Sequence, residues 1–183
     1  MQAVIYYTEI SEKYQNKNME HMYGEKLLET AILQEYGLNI AHEPRAAGEY
    51  GKPFFTLRPS IHYNISHSGK YVVCMLAEQA VGIDIQIHKE LYNFERMLRR
   101  IVPEAMAEEM LQSEDWKEKF FEQWVLREAY VKWTGEGLRI DMRTIEMEKG
   151  WHKLLPFQES YSCAVWSAKE MEIVWKKAEI ELI

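Results

Sequence analysis

A chain of 183 residues can bury one hydrophobic core or two small packed lobes. Apolar residues at 47% and charged residues at 28% are ordinary globular usage and exclude disorder of the bulk. A net charge of -7 argues against a nucleic acid backbone as the main partner, and no apolar run approaches a membrane span, so neither nucleic acid nor membrane is expected.

Residues 2–7, QAVIYY, read as an opening strand. MQAVIYYTEI lacks a basic stretch ahead of an apolar segment, so no secretory leader is expected and the cytoplasm is the expected location. Residues 19–36 predict a helix with Leu27, Leu28, Ala31, Ile32 and Leu33 as its apolar stripe and Gly37 as its cap. Pro44, Gly48, Gly51 and Pro53 make 39–53 a loop, and FFTL at 54–57 a brief strand that Pro59 ends. IHYNI at 61–65 predicts a strand, Ser66 to Lys70 a polar turn, and YVVCMLA at 71–77 an apolar strand. After a turn at Glu78-Gln79, VGIDIQI at 81–87 reads as the second strand of a hairpin. Ile83, Ile85 and Ile87 share one of its faces, Asp84 and Gln86 the other.

Residues 91–112 predict helix with a break at Pro103. Residues 115–134 predict the strongest helix, with Trp116, Phe120, Trp124 and Val131 near helical spacing and Gly135 and Gly137 as its stop. Residues 151–157 read as loop, and 161–168 with 171–178 as a final hairpin. Cys74 and Cys163 lie in apolar strands and read as buried small hydrophobes. The order suggests an α+β fold of two similar halves, each of about 90 residues, pairing a long helix with antiparallel strands.

Three side chains could carry chemistry. Asp84 is a lone carboxylate in an apolar strand: either it is exposed or structural, or it is paired or cation-bound. Glu128 and Lys132 are four apart on one helix, which suits a solvated ion pair as well as a site. His67 sits between hydroxyls in Ser66-His67-Ser68-Gly69, where a ligand phosphate would be within reach. Arg96, Arg99 and Arg100, and Lys117, Lys119, Arg127 and Lys132, form two basic groups that read equally as solvated helix faces or as partner surfaces. No Walker loop, GxGxxG, HExxH or paired CxxC is present.

Four ordered segments, Gly51-Lys52-Pro53, Asn64 to Gly69, Val81 to Gln86, and Trp124 to Lys132 followed by Gly135 and Leu138, resemble the 4'-phosphopantetheinyl transferases of the larger, monomeric, surfactin-synthetase-activating type. The resemblance implies two lobes related by pseudo-twofold symmetry, residues 1–87 and 88–183, with the active site in the cleft between them. It implies transfer of phosphopantetheine from coenzyme A to a serine of an acyl, aryl or peptidyl carrier protein by a monomer. The alternative is a non-catalytic coenzyme A- or carrier-binding module of the same fold. By match, Asp84 and Glu128 hold magnesium (or manganese), with Gln86 contributing directly or through water. Glu128, Lys132 and Asp84 are the implied catalytic group. Lys52, Ser66, His67, Lys89, Lys26 and Arg127 are implied contacts for coenzyme A. Gln86 stands where many relatives carry glutamate, and Arg127 where the helix motif usually has lysine.

Overall fold

The computed structural model describes residues 1–11 and 17–181. Three sheets stand among these residues. The largest is four-stranded, and its order follows from who needs burial. β1 (Gln2–Glu9) pairs antiparallel with β5 (Tyr71–Ala77), which pairs antiparallel with β4 (His62–Ser68). β5 is buried at every position because both of its faces are covered. On one face lies α1 (Lys17–Tyr36), whose Leu27, Leu28, Ala31 and Ile32 pack on Val4, Tyr6, Val72 and Cys74. Leu33, expected in that stripe, is 56% exposed. Gly37 closes the helix with φ +66° and a 2.9 Å bond from its N–H to the Leu33 carbonyl. A small ladder lies between α1 and β4 in the chain: β2 (Arg45–Ala47) forms within the stretch expected as loop, and β3 (Pro53–Phe55) overlaps the brief strand expected at 54–57.

The other face of the large sheet meets a second sheet. β6 (Val81–Ile87) pairs with β8 (Tyr161–Ser167), and β8 with β7 (Trp151–Leu154), which forms where a loop was expected. Ile83, Ile85, Cys163 and Val165 pack on Ile5, Val73 and Met75. Period-two alternation then turns Gly82, Asp84, Ala164 and Trp166 to the opposite face. There α4 (Trp116–Thr134) packs through Val125, Ala129 and Tyr130. The layers run α1, four-stranded sheet, three-stranded sheet, α4. This is an α+β architecture of small sheets and helices. α2 (Phe94–Ile101) and α3 (Glu104–Leu111), separated at Pro103 as expected, join Phe120 and Phe121 of α4 in a satellite core.

Two expected hairpins do not form. β5 and β6 are consecutive but belong to different sheets, and β4–β5 is the hairpin instead. The last strand, β9 (Glu172–Lys177), leaves β8 and pairs parallel with β1 at the edge of the large sheet. The sheets therefore do not divide at residue 87: β6 sits with β8 and β7, and β9 returns to β1. The polar run Ser66 to Ser68, expected as a turn, is strand, and the turn lies at Gly69-Lys70, where Gly69 has φ +57°. No helix among the described residues is long and apolar enough to cross a membrane.

Candidate active site

The polar strand β4 stays a strand because β6 uses its side chains. Asn64, Ser66 and Ser68 point the same way by alternation. Asn64 Oδ1 accepts from the Ile83 N–H at 2.8 Å, Ser66 Oγ from Ile85 at 3.3 Å, and Ser68 Oγ from Ile87 at 3.0 Å. Side-chain oxygens thus replace the carbonyls of a missing neighbour strand and satisfy the edge of β6. Asn64 and Ser68 were not anticipated as site-building residues, although their alternate spacing with Ser66 is visible in the sequence.

Gly82 sets the depth of the other wall. A Cβ on it would lie 2.0 Å from the Ala129 carbonyl oxygen and 2.5 Å from the Trp133 nitrogen. Only glycine lets α4 settle this close to β6. The approach puts Asp84 beside Glu128 and Lys132, one helical turn apart.

Asp84 is 6% exposed. Its Oδ1 accepts from Ser66 Oγ at 2.7 Å and from Lys132 Nζ at 2.7 Å. Its Oδ2 receives no donor among the described residues. The charge is paired and hydrogen-bonded, which offsets the cost of its burial. Glu128 is half-buried. Burial first, and then the Asp84 charge, raise its carboxyl above the usual range, while Lys132 pulls in the other direction. Two carboxylates from different elements, one with an uncommitted oxygen, share a field that one lysine does not balance. That donor chemistry fits a hard divalent cation such as magnesium. Gln86 lies on the Asp84 face of β6, half-buried, and its Nε2 donates to the Ile87 carbonyl at 3.2 Å. Among the described residues no three His, Cys, Asp or Glu side chains gather at metal-binding spacing, so protein carboxylates would supply only part of a coordination shell.

The remaining expected residues separate. Lys52 lies at the start of β6, its Nζ bonded to the Val81 and Trp133 carbonyls at 2.9 Å each. Burial pushes its amine down to about 8, so it is still an ammonium donor at neutral pH, at the C-terminal end of α4. Its stem lies against Gly135, which has φ +73°. Beside it is a cavity of about 390 Å³ lined by Tyr50, Phe54, His62, Tyr63 and Trp133. His67 alternates away from Ser66 to the exposed side of β4, its Nδ1 3.3 Å from Glu20 Oε2 on α1. Lys26 stays on α1 in an exposed pair with Glu29 at 2.8 Å. Lys89 is exposed just beyond β6. Arg127 is 2% exposed, with its guanidinium bonded to the Met142 carbonyl and to Gln123 in the interior. It shares no hydrogen bond with the Asp84 group, and burial lowers its pKa to about 10.

The model of the 4'-phosphopantetheinyl transferase superfamily matches residues 80–154, the segment that carries β6 and α4. The chain is 32% identical over 120 residues to a 4'-phosphopantetheinyl transferase of Bacillus subtilis, covering 65% of this chain and 53% of that protein. It is 26% identical over 159 residues to the 4'-phosphopantetheinyl transferase Sfp of Bacillus subtilis (strain 168), covering 85% and 70%. It is 32% identical over 155 residues to the 4'-phosphopantetheinyl transferase gsp of Aneurinibacillus migulanus, covering 81% and 60%. The matches thus span between 53% and 70% of the length of these relatives.

Proposed function

The chain belongs to the 4'-phosphopantetheinyl transferase superfamily, and we propose that it transfers the phosphopantetheine group of coenzyme A to a serine hydroxyl of an acyl, aryl or peptidyl carrier protein, releasing adenosine 3',5'-bisphosphate. The observation that carries this reading is the convergence of Ser66, Asp84, Glu128 and Lys132 on the β6–α4 cleft.

Magnesium or manganese held by Asp84 and Glu128, with Gln86 directly or through water, would offset the pyrophosphate charge and stabilise the leaving group. Ser66 and Lys132 fix Oδ1 of Asp84 and leave Oδ2 facing the cleft. Lys132 adds a positive charge beside the pyrophosphate. The carrier serine oxygen forms a bond to the pantetheine-side phosphorus. The bond from that phosphorus to the bridging oxygen breaks, and its electron pair leaves with the bisphosphate. Glu128, directly or through water, takes the serine proton. Lys52 serves the nucleotide end; His67 and Lys26 reach phosphate only after leaving Glu20 and Glu29. Lys89 borders the cleft at its other end. Arg127 holds α4 in place and does not touch ligand.

The larger, monomeric, surfactin-synthetase-activating type is part of this proposal; the similarities themselves reach the superfamily as a whole. The layering of α1 on one sheet and α4 on the other supports a reading as two pseudo-symmetric lobes, with β6 counted in the second and β9 in the first. Incubation with coenzyme A, magnesium and several unmodified carrier proteins tests the function. A carrier mass gain of one phosphopantetheine is expected. Tight coenzyme A binding without any gain would leave a binding module instead.

A further inference from the structure

The β2–β3 hairpin is a ladder of two strands, joined to neither larger sheet. A hairpin of that size is marginal by itself in water, so other contacts must hold it. Its base is anchored. Phe55 is 2% exposed with its ring centroid 5.0 Å from that of Tyr63, and Arg45 pairs with Glu25 of α1 at 2.6 Å. Its tip, residues 48–52, lies beyond that anchor. Gly51 turns the tip with φ +90°, and the Gly48 N–H donates to the Lys52 carbonyl at 2.9 Å.

Two side chains tie the tip to what faces it. One tie is weak: the exposed Arg139 guanidinium lies 5.2 Å from the centroid of the Tyr50 ring. The other is Lys52. Its Nζ donates at 2.9 Å to the Val81 carbonyl, at the start of β6, and at 2.9 Å to the Trp133 carbonyl, in the last turn of α4. The last four carbonyls of a helix have no intrahelical donor and carry the negative end of its dipole, so a cation is favoured there. The lysine stem packs along Gly135, where a Cβ would lie 3.2 Å from Lys52 Cδ. Two of the three ammonium donors are thus spent on backbone. The cavity of about 390 Å³ stands between the two walls that Lys52 joins, with Tyr50 and Phe54 on the hairpin side and Trp133 and Gly135 on the helix side. Among the described residues, Glu49 and Lys52 are the charged groups that line it, and His62 is pushed towards its neutral form first by burial and then by the Lys52 charge.

We infer that Lys52 is a positioning residue: its ammonium clasps the tip of the β2–β3 hairpin to the junction of β6 and α4, and so forms the cavity without touching the ligand that occupies it. That the occupant is the nucleoside end of coenzyme A rests on the transfer reading above. The clasp itself belongs to the ligand-free chain. A lysine that reached a phosphate would have to give up the two carbonyls, and the hairpin tip with them.

Two measurements on the whole chain test this. Lys52→Met keeps the stem on Gly135 and removes the ammonium. Without any ligand, amide hydrogen exchange across residues 48–53 should become about tenfold faster, the size of a lost hydrogen bond from a charged donor, while the amides of β5 stay as slow as in the wild type. Lys52→Arg, which keeps a cation able to reach a carbonyl, should retain most of the protection and serves if the methionine variant does not fold. Unchanged exchange at the tip in Lys52→Met, or tip protection lost in full in a folded Lys52→Arg, would overturn the clasp. The second measurement compares coenzyme A with coenzyme A lacking its 3'-phosphate by calorimetric titration. Lys52→Met should weaken both about tenfold and leave the ratio of their affinities at the wild-type value. A loss confined to the 3'-phosphorylated ligand would make Lys52 a direct phosphate contact and also overturns the inference. A wild-type chain that binds neither ligand would sink the transfer reading, whereas the exchange result would still stand or fall by itself.

Discussion

Ser66 Oγ donates to Asp84 Oδ1 at 2.7 Å and accepts from the Ile85 N–H at 3.3 Å, so one buried hydroxyl fixes both the carboxylate and the strand that carries it. Lys132 reaches the same Oδ1. The Asp84 carboxylate is thereby held in one orientation. On the proposed reading, Ser66 would act on the reaction through Asp84, as a positioning residue.

Ser66→Ala leaves the Ile85 N–H and one Asp84 contact without a partner. We expect a loss of about 1–3 kcal/mol in stability by chemical denaturation. Turnover should fall about tenfold, as it does when an outer partner of a metal ligand is lost, and the magnesium needed for half-maximal rate should rise. Ser66→Thr, which keeps the oxygen, should restore the magnesium dependence. A lowered stability with wild-type magnesium dependence would reduce Ser66 to a purely structural stitch.

Glu128 is destabilising where it is ionised. Its folded pKa is raised by burial and by Asp84, so it favours the folded state below the ordinary glutamate pKa and loses that contribution as pH rises through the folded value. Glu128→Gln should therefore unfold at higher temperature than the wild type at neutral pH, and the gain should vanish near about pH 4, where the unfolded glutamate also binds its proton. The same variant should lose most turnover. Equal melting temperatures at neutral pH would show that the carboxylate is not strained by its surroundings.

The residues that meet at the β6–α4 cleft were legible because their types are costly in their places. Asp84 in a strand of isoleucine and Glu128 four before Lys132 stand out of the pattern. Helix ends were legible too, since Gly37 and Gly135 are where the chain turns left-handed. Strand partners were not. Nothing local tells β5 and β6 that they enter different sheets, or β9 that it returns to β1, because pairing is decided by distant apolar faces. The polar run of β4 read as a turn for the same reason: Asn64, Ser66 and Ser68 are strand residues only in the presence of β6. Arg127 lies next to Glu128 in sequence, but its guanidinium goes to Met142 and Gln123 in the interior. Gly82 carried the most geometry for the least signal, since its meaning lies in the Ala129 carbonyl that touches it.

The carrier should read α2 and not the lysines at the start of α4. Lys117 is held by Glu90 at 3.1 Å and Lys119 by Asp115 at 2.9 Å, so both charges are offset locally. Arg96 and Arg100, one turn apart on α2, have no acid partner among the described residues, and Tyr92 beside them is 96% exposed. On a chain of net charge -7 this patch is where an acidic carrier helix would be drawn. Reversing both to glutamate (R96E with R100E) should raise the KM for the carrier about tenfold, with the effect shrinking as salt is added. Coenzyme A affinity should not move. Steady-state kinetics in which the carrier KM is unchanged at low salt would return this patch to ordinary solvated surface.

Gln86 is the most informative single position left, because it shares a strand face with Asp84 and carries no charge. Side chains two residues apart on a strand stand about 7 Å apart, so both can serve one ion only by leaning towards it. The Gln86 amide nitrogen is already turned to the Ile87 carbonyl at 3.2 Å, which leaves its oxygen as the end available to the cleft. An amide there offers a ligand atom, or a hook for bound water, without adding to the repulsion between Asp84, Glu128 and an incoming pyrophosphate. Gln86→Ala should slow turnover about tenfold, in the range for disturbing an outer partner of a metal site. Gln86→Glu should stay active and tighten the apparent affinity for magnesium, since a carboxylate strengthens the field at the cation. Magnesium titrations of turnover at fixed coenzyme A for the wild type and both variants decide the matter. A Gln86→Ala enzyme as inactive as Asp84→Ala would make the amide oxygen an essential direct ligand. A Gln86→Glu enzyme whose magnesium dependence is unchanged or weaker would show that this side chain does not face the ion at all.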